Sequence, residues 1–595
     1  MHEAEAVGIL ILVIGLLVSG KVRIDLVGVI ALALVGLLHL IPSSTLFSGF
    51  SSYAAIILAE MFVLSEGLRR SGATEVMAGW FENLGKKGET PLLTALMALP
   101  PIPSTFVSDV GLMSIFLPTM VRIRQRLKFS LHRLLMPLSF SIALGGLLSM
   151  IGSAGNIIGN ATLASNHYSP IPLFGITPLG IILVIAGFFF MRLWGVHRLP
   201  SADIDSDSDF FSNYREVKGY LSELWVKDNS SAAGRAIQDV QYFRQHHLTV
   251  LRIIRDGQAV IVPGAHDILR AGDRLVVQGN IAAIVDLTPE AGFEMAGGDS
   301  TTVRLRNQNA RVVEAMVPQR SMLVNHSLRE IDFRVRYGPT VLAILRQGVT
   351  LVKELAGISI QAGDILLIMG SDESIARLQA SDDLTVFSDV EHTTPSSSRR
   401  SLLATAVVLG VLTAAAFSFL AIQVAAAAGI GVLVVSRILS LDQAYRAIDW
   451  RIITLVGGIT PLSLALTRTG VTVGLAHVLL HMVGAMGPYA VLTVFFVLAA
   501  LLTQVISNVA AALVLSPLAI SVASSNHWSP DALIITMVVA LSAAPITPLA
   551  NKVFIMAMGP GHYKYQDFLR IGIPFTLVMF LITIFVAPFL FPLRG

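Results

Sequence analysis

Two short polar clusters stand inside long apolar sequence, where unsatisfied polar atoms cost most. Ser104-x-x-x-Ser108-Asp109-Val110 is followed by Leu117-Pro118, and Thr503-x-x-x-Ser507-Asn508-Val509 by Ser516-Pro517. The second cluster repeats the first at a constant shift of 399 residues (503 against 104, 507 against 108, 517 against 118). Just upstream, Arg70-Ser71-Gly72 and Arg468-Thr469-Gly470 match at 398. Serine and asparagine oxygens, with carbonyls freed where a helix breaks, suit a hard cation such as sodium. The N-termini of half-helices suit an anion. Asp109 is ionisable at membrane depth, which marks function by default. It can tighten a cation site, take up a proton, or serve as a hydrogen-bond partner inside a hairpin.

A second interruption follows each cluster. The first is Gly145-Gly146-x-x-Ser149-x-Ile151-Gly152-Ser153-Ala154-Gly155-Asn156, and the other is Pro545-Ile546-Thr547-Pro548-Leu549-Ala550-Asn551. Irregular backbone survives in hydrocarbon only where it lines a protein-bounded cavity. Paired interruptions at corresponding positions of two halves point to a transporter binding site. Lys552 follows Asn551 and has two readings, a fixed positive charge that serves the anion or replaces the second cation, and a snorkelling interfacial side chain.

The elements that must hold these clusters are membrane helices. Of 595 residues, 54% are hydrophobic and 14% charged, with mean hydropathy +0.71; a soluble domain carries about 25% charged residues. The apolar excess lies in two blocks, 5–195 and 400–593, around a stretch of ordinary soluble composition. About five or six spans are expected per half, beginning with Val7–Val18, Leu26–Ile41 and Tyr53–Leu68, plus segments too short or too broken to cross simply. Glu3 and Glu5, with no preceding lysine or arginine, argue for a retained helix over a cleaved leader. Basic residues Arg122, Arg124, Arg126, Lys128 and Arg133, with Arg192, Arg198, Arg399 and Arg400 beside the insert, put the 199–398 insert in the cytoplasm. There is no cysteine, which excludes disulfides and thiolate chemistry. The net charge of +3, without basic runs interleaved with aromatics, gives no case for nucleic acid.

The soluble insert is itself a repeat of strand-like sequence. Leu251-Arg-Ile-Ile-Arg255-Asp-Gly257 matches Leu342-Ala-Ile-Leu-Arg346-Gln-Gly348, and the stretch from Leu269 through Gly272-Asp273 to Gly279 matches that from Ile360 through Gly363-Asp364 to Gly370. Both match at a shift of 91 (346 against 255, 363 against 272), the mark of duplication. Gly272-Asp273 and Gly363-Asp364 read as turn chemistry.

Each copy resembles the ligand-sensing C-terminal lobe of the TrkA-C or RCK-C type. The membrane halves resemble the divalent anion/sodium symporter family of the wider ion-transporter superfamily, in its bacterial branch with two such lobes inserted. The resemblance implies a polytopic α-helical protein of two inverted-repeat halves with re-entrant hairpins and unwound helices, plus two small cytosolic α/β domains. The domains expected are 1–198, 199–300, 301–398 and 399–595. It further implies a first cation site at Ser104, Ser108, Asp109 and Gly152, and a second at Thr503, Ser507, Asn508 and Thr547. Substrate would lie near Ser108, Asp109, Val110 and Asn156, and near Ser507, Asn508, Val509, Asn551 and Lys552. Sodium, or a proton, is the implied coupling ion, without other cofactor. A homodimer in the bacterial inner membrane, with a small effector such as a nucleotide at the lobes, completes the expectation. Val110 and Val509 replace the threonines of that family and remove two hydroxyls, which favours a sulfate-like oxyanion over a dicarboxylate.

Other classes find less support. A channel filter such as T-V-G-Y-G is missing, and so are H-E-x-x-H, G-x-S-x-G and Walker motifs. That leaves secondary transport ahead of enzymes, primary pumps and a lobe-regulated channel, with cation/proton exchange through Asp109 as the alternative.

Overall fold

The computed structural model describes residues 2–593 apart from 20–21, 128, 200–220, 229, 241–242, 244–247, 256–257, 262, 265, 279–292, 296–310, 318–320, 347–348, 352–354, 362, 382 and 387–397. Expectations on Lys128, on Gly257, Gly279 and Gly348, and on the junctions within 200–220, 296–310 and 387–397 lie outside the described residues. The chain divides into two compact units: 1–202 with 393–557 and 564–595, and 203–392 with 558–563.

The first unit is helical. Among the described residues six helices are long and apolar enough to cross a membrane: His2–Ser19, Leu131–Leu148, Thr177–Arg198, Trp450–Arg468, Asn508–Ser525 and Tyr565–Leu590. The bent pair Val471–Val483 with Pro488–Leu502 makes a seventh if counted as one span. Beside these, among the described residues, stand five shorter apolar helices of 10–17 residues. Tips and breaks cut the apolar blocks into shorter helices such as Ile24–Leu37 and Asp531–Ala543, below the roughly 20 residues of a simple span.

The elements around the polar clusters come in matched sets. In the first half they are α1 (Tyr53–Arg70), α2 (Glu89–Ala98), α3 (Pro101–Ser104), α4 (Asp109–Leu127), α5 (Leu131–Gly145) and α6 (Ala154–Ser165). In the second half they are α7 (Trp450–Arg468), α8 (Pro488–Leu502), α9 (Asn508–Ser525), α10 (Asp531–Ala543) and α11 (Lys552–Met558). Gly72 after α1 and Gly470 after α7 have φ of +79° and +82°, the left-handed region that glycine enters freely. The same stop is therefore used twice.

Each hairpin leans on one central helix: α2 and α4 pack on α5, and α8 and α9 pack on α10. Only Arg133 of α5 and Asp531 of α10 escape full burial. Helices apolar all round belong in a core, and these two form the platforms beneath the tips.

The second unit contains two five-stranded antiparallel sheets. The first runs β3-β2-β4-β1-β5, from β1 (Leu221–Val226), β2 (Thr249–Arg255), β3 (Gln258–Ile261), β4 (Arg274–Gln278) and β5 (Phe293–Met295). The second, from β6 (Arg311–Met316), β7 (Thr340–Arg346), β8 (Val349–Leu351), β9 (Ile365–Gly370) and β10 (Thr385–Val386), runs β8-β7-β9-β6-β10. The orders are equivalent strand for strand. Even the register irregularity repeats, between Val250 and Arg252 and between Val341 and Ala343. Each sheet covers its own core, around Leu224, Ile253, Leu275 and Phe293 in one and Val313, Ile344, Leu366 and Phe333 in the other.

Gly272 and Gly363 make the expected turns at φ of +84° and +88°. The aspartates after them do more than turn the chain. Asp273 accepts from Arg255 Nε and Nη2 at 2.7 and 2.6 Å, and Asp364 from Arg346 Nε and Nη2 at 2.9 and 2.7 Å. The matched arginine is thus the partner of the matched aspartate in both sheets.

Candidate ion and anion site

Both hairpin tips are built the same way. Ser108 Oγ accepts from the Gly111 amide at 3.2 Å, and Ser507 Oγ from the Ala510 amide at 3.3 Å. This is serine's N-cap chemistry, and it sets Asp109 and Asn508 at the head of the outgoing helix. Each then meets the incoming arm. Ser104 Oγ lies 3.1 Å from Asp109 Oδ1 and 2.6 Å from the Ile142 carbonyl. The Thr503 hydroxyl donates to Asn508 Oδ1, with the Leu541 and Ala550 carbonyls at 3.4 and 3.3 Å. Ile142 and Leu541 are again 399 apart, so contacts repeat as well as residues.

The first break, between α5 and α6, depends on close backbone approach. A Cβ added at Gly145 would lie 2.6 Å from Pro101 backbone, and one at Gly152 would lie 2.5 Å from the Gly146 carbonyl oxygen. Asn156 is fully buried, and its amide donates to the Gly146 and Ser149 carbonyls at 2.8 Å each. Its Oδ1 accepts from the Ser153 hydroxyl at 2.6 Å. Asn156 and Gly152 therefore meet the backbone of their own break. The Ser149 hydroxyl ties this break to the hairpin through the Thr105 carbonyl at 2.9 Å.

In the second break, between α10 and α11, the tie runs the other way. Gln504, on the hairpin, donates to the Ala500 and Ala544 carbonyls at 2.8 Å each and accepts from the Thr547 amide at 2.9 Å. Sequence reasoning passed over Gln504, and also Ser65 on α1, whose hydroxyl accepts from the Ser108 amide at 3.2 Å. A signal for Gln504 was present: at the 399-residue shift its counterpart is Thr105, the residue whose carbonyl the first break holds.

Tips and breaks cross between the halves. Asn551 Nδ2, in the second break, donates to Asp109 Oδ2 at the first tip at 3.0 Å. Conversely, a Cβ added at Gly155 in the first break would come within 3.9 Å of the Asn508 carbonyl oxygen at the second tip. Val509 is buried behind its tip, while Val110, Asn551 and Lys552 are partly buried.

The second tip has the chemistry of a cation site. Thr503 Oγ1, Asn508 Oδ1 and the carbonyls of Leu541 and Ala550 converge with one hydroxyl hydrogen among them. The Thr547 hydroxyl, in the adjoining turn, is buried with no hydrogen-bond partner among the described residues. A surplus of acceptor oxygens suits a hard cation, so these residues fit sodium. Gln504→Ala would release the Thr547 amide and the Ala544 carbonyl that frame this site. The half-saturating sodium concentration for uptake is then expected to rise about 10- to 100-fold, read from a sodium titration in proteoliposomes.

The family model described as citrate transporter (CitMHS) matches residues 14–540. Along almost its whole length the chain is similar to two relatives named as uncharacterized transporters. It is 30% identical to sll0640 of Synechocystis sp. over 575 residues, covering 94% of this chain and 92% of the relative. It is 28% identical to YfbS of Escherichia coli over 604 aligned positions, covering 98% of each. It is also similar to sodium/sulfate cotransporter 2 of Chlamydomonas reinhardtii, at 24% identity over 405 residues, 64% of this chain and 45% of that protein. The matched region takes in both polar clusters and the insert between them, and the chain belongs to the citrate transporter family of multi-pass membrane transporters.

Proposed function

We propose that the protein is a secondary active transporter that carries a small anion across the bacterial inner membrane, driven by a sodium or proton gradient. The observation that carries this reading is the crossing of the halves, in which Asn551 of one break bonds Asp109 of the other half's tip. Two inverted-repeat halves with re-entrant tips account for the duplicated contacts. The anion sits between the tips near Val110 and Val509, with Asn551 and Lys552 supplying donors. Ser104, Ser108, Asp109 and Gly152 frame the first cation position, and Thr503, Ser507, Asn508 and Thr547 the second. A sulfate-like oxyanion is the first choice of substrate, supported by the valines at both tips and by the sulfate in the name of the Chlamydomonas relative. A dicarboxylate comes second.

Alternating access requires the tips to change which side of the membrane they face. The insert is read as two cytosolic RCK-C-like lobes, a reading supported by the repeated sheets. An effector there shifts the carrier's states only if it binds them unequally, and the assembly is read as a homodimer. Uptake of labelled sulfate and succinate into proteoliposomes, under a sodium gradient and separately under a proton gradient, tests the function. Gradient-driven sulfate accumulation is expected. No anion uptake by well-folded protein under either gradient would remove the anion and leave cation/proton exchange through Asp109.

A further inference from the structure

We propose that Ser65 and Ser463 are matched positioning residues, and that transport exchanges their partners between the two hairpins. This rests on the inverted-repeat reading above and assigns contacts that change when the site turns from one side of the membrane to the other. Both serines stand at the same place in their halves. Leu64-Ser65 and Leu462-Ser463 are 398 apart, the shift that also relates Arg70-Ser71-Gly72 to Arg468-Thr469-Gly470. α1 packs on α4, and α7 on α9, so each serine meets the outgoing helix of its own hairpin.

The two serines grip those helices at different heights. Ser65 Oγ accepts from the Ser108 amide, at the tip, at 3.2 Å. Ser463 Oγ donates to the Leu513 carbonyl, also at 3.2 Å. Ser507 is the counterpart of Ser108, and Leu513 lies well beyond it (513 against 507). At a rise of about 1.5 Å per residue the offset is about 9 Å along the helix.

A repeated proline explains why Leu513 takes a hydroxyl. An interior proline has no N–H for the carbonyl four residues back. Pro517 in α9 leaves the Leu513 carbonyl without its helical donor, and Ser463 supplies one. Pro118 in α4 does the same to the Ser114 carbonyl, and Ser114 is the counterpart of Leu513 at the 399-residue shift. Both helices therefore carry two landing points for a serine, the tip amide and the proline-freed carbonyl. A hydroxyl suits either, since it accepts at one and donates at the other. The first half uses the tip amide and the second half the freed carbonyl.

Exchanging these arrangements gives the second state. Ser463 then accepts from the Ser507 amide, and Ser65 donates to the Ser114 carbonyl. Inverted repeats run in opposite senses across the membrane, so a single movement carries one tip toward its serine and the other tip away. The number of bonds is the same in both states. Neither is then strongly favoured, as a carrier that must visit both requires.

The chain has no cysteine, so disulfides placed in the full-length protein in liposomes test this. A Cβ at Gly111 would lie 3.9 Å from Ser65 Oγ, within reach of a disulfide. Its counterpart at the 399-residue shift, Ala510, already carries a Cβ. Ser65→Cys with Gly111→Cys reports the present arrangement, and Ser463→Cys with Ala510→Cys the exchanged one. In a chain with all four substitutions, mild oxidation should form either link but not both in one molecule. Peptide mass spectrometry identifies the link, and intact mass after capping with N-ethylmaleimide counts the thiols left. Formation of the first link also shows that the chain is folded.

Pro517→Ala gives the Leu513 carbonyl a helical donor and should raise the second link against the first by about 2- to 10-fold, the worth of one net hydrogen bond. Pro118→Ala should lower it by a similar factor, whereas a purely structural role would not move the ratio in opposite directions. Both links in one molecule would overturn the exchange. Labelled sulfate uptake by the wild-type chain separates the exchange from the reading it rests on. Uptake with a second link that never forms would overturn the exchange and leave the transporter reading intact. Exclusive links with opposite proline shifts, but no uptake of any anion, would support the exchange and overturn the anion-transport reading.

Discussion

Asn508→Ala is expected to raise the sodium concentration for half-maximal uptake by at least about 100-fold. Outer-shell partners of metal ligands cost 10- to 100-fold when removed, and in the proposed cation position Asn508 Oδ1 is a ligand itself. It meets the Thr503 hydroxyl, which also lies near the Leu541 and Ala550 carbonyls, so its loss takes out a central oxygen of the set. Alanine favours the helix and leaves the Ser507 cap on the Ala510 amide in place, which keeps the tip folded. Thr503→Val should act in the same direction, because it keeps the shape of the side chain while removing the hydroxyl. A sodium titration of sulfate uptake in proteoliposomes decides the matter. An unchanged sodium dependence in both variants would take the cation away from this tip.

Asp364→Ala should destabilise the second sheet by roughly 1.5–3 kcal/mol, the range for lost hydrogen bonds to a charged group, since the Arg346 left behind is partly exposed. Asp364 is 2% exposed and accepts from Arg346 twice and from the Gln361 amide at 2.8 Å. The carboxylate also holds the Arg346 guanidinium above the usual arginine range. Without it, Arg346 keeps only the Ser359 carbonyl, at 2.7 Å, of these partners. Asp273→Ala should do the same to the first sheet, where Asp273 is 1% exposed and also accepts from the Arg270 amide at 2.7 Å. Hydrogen exchange on the full chain reads the two sheets separately. Each variant should lose protection in its own β-sheet first, and a loss spread equally over both would contradict two independent cores. Replacing Arg346 and Asp364 together by apolar residues of similar volume should recover much of the stability, because no buried charge is then left alone.

Features that depend on a few consecutive residues were legible in the chain. Ser108 and Ser507 stood out as small polar residues inside apolar sequence, and both cap the helix that leaves their tip. Gly72 and Gly470 were visible as matched positions of the repeat, and both take positive φ. Because the chain repeats at 399 and again at 91, each local reading could be checked against a second copy. Ser104 with Asp109, and Thr503 with Asn508, were expected together because the family resemblance implied it, and each pair is in hydrogen-bond contact.

Direction and distance were decided by packing. Asn156, in the first turn of α6, spends its amide on the carbonyls of the first break, whereas Asn551, just before α11, reaches across to Asp109. Residue type cannot separate these outcomes, because a break frees backbone groups that must find partners inside the protein, and any nearby polar side chain can serve. Gln504 was overlooked for the same reason: its use follows from where α8 brings it against Ala544 and Thr547. The sequence by itself determined the two polar tips, the two breaks, the doubled insert and the membrane setting, since each is written in local spacing and hydropathy. Only the tertiary structure decided that the second break closes on the first tip, because that contact joins residues in different halves and depends on how the helices between them pack.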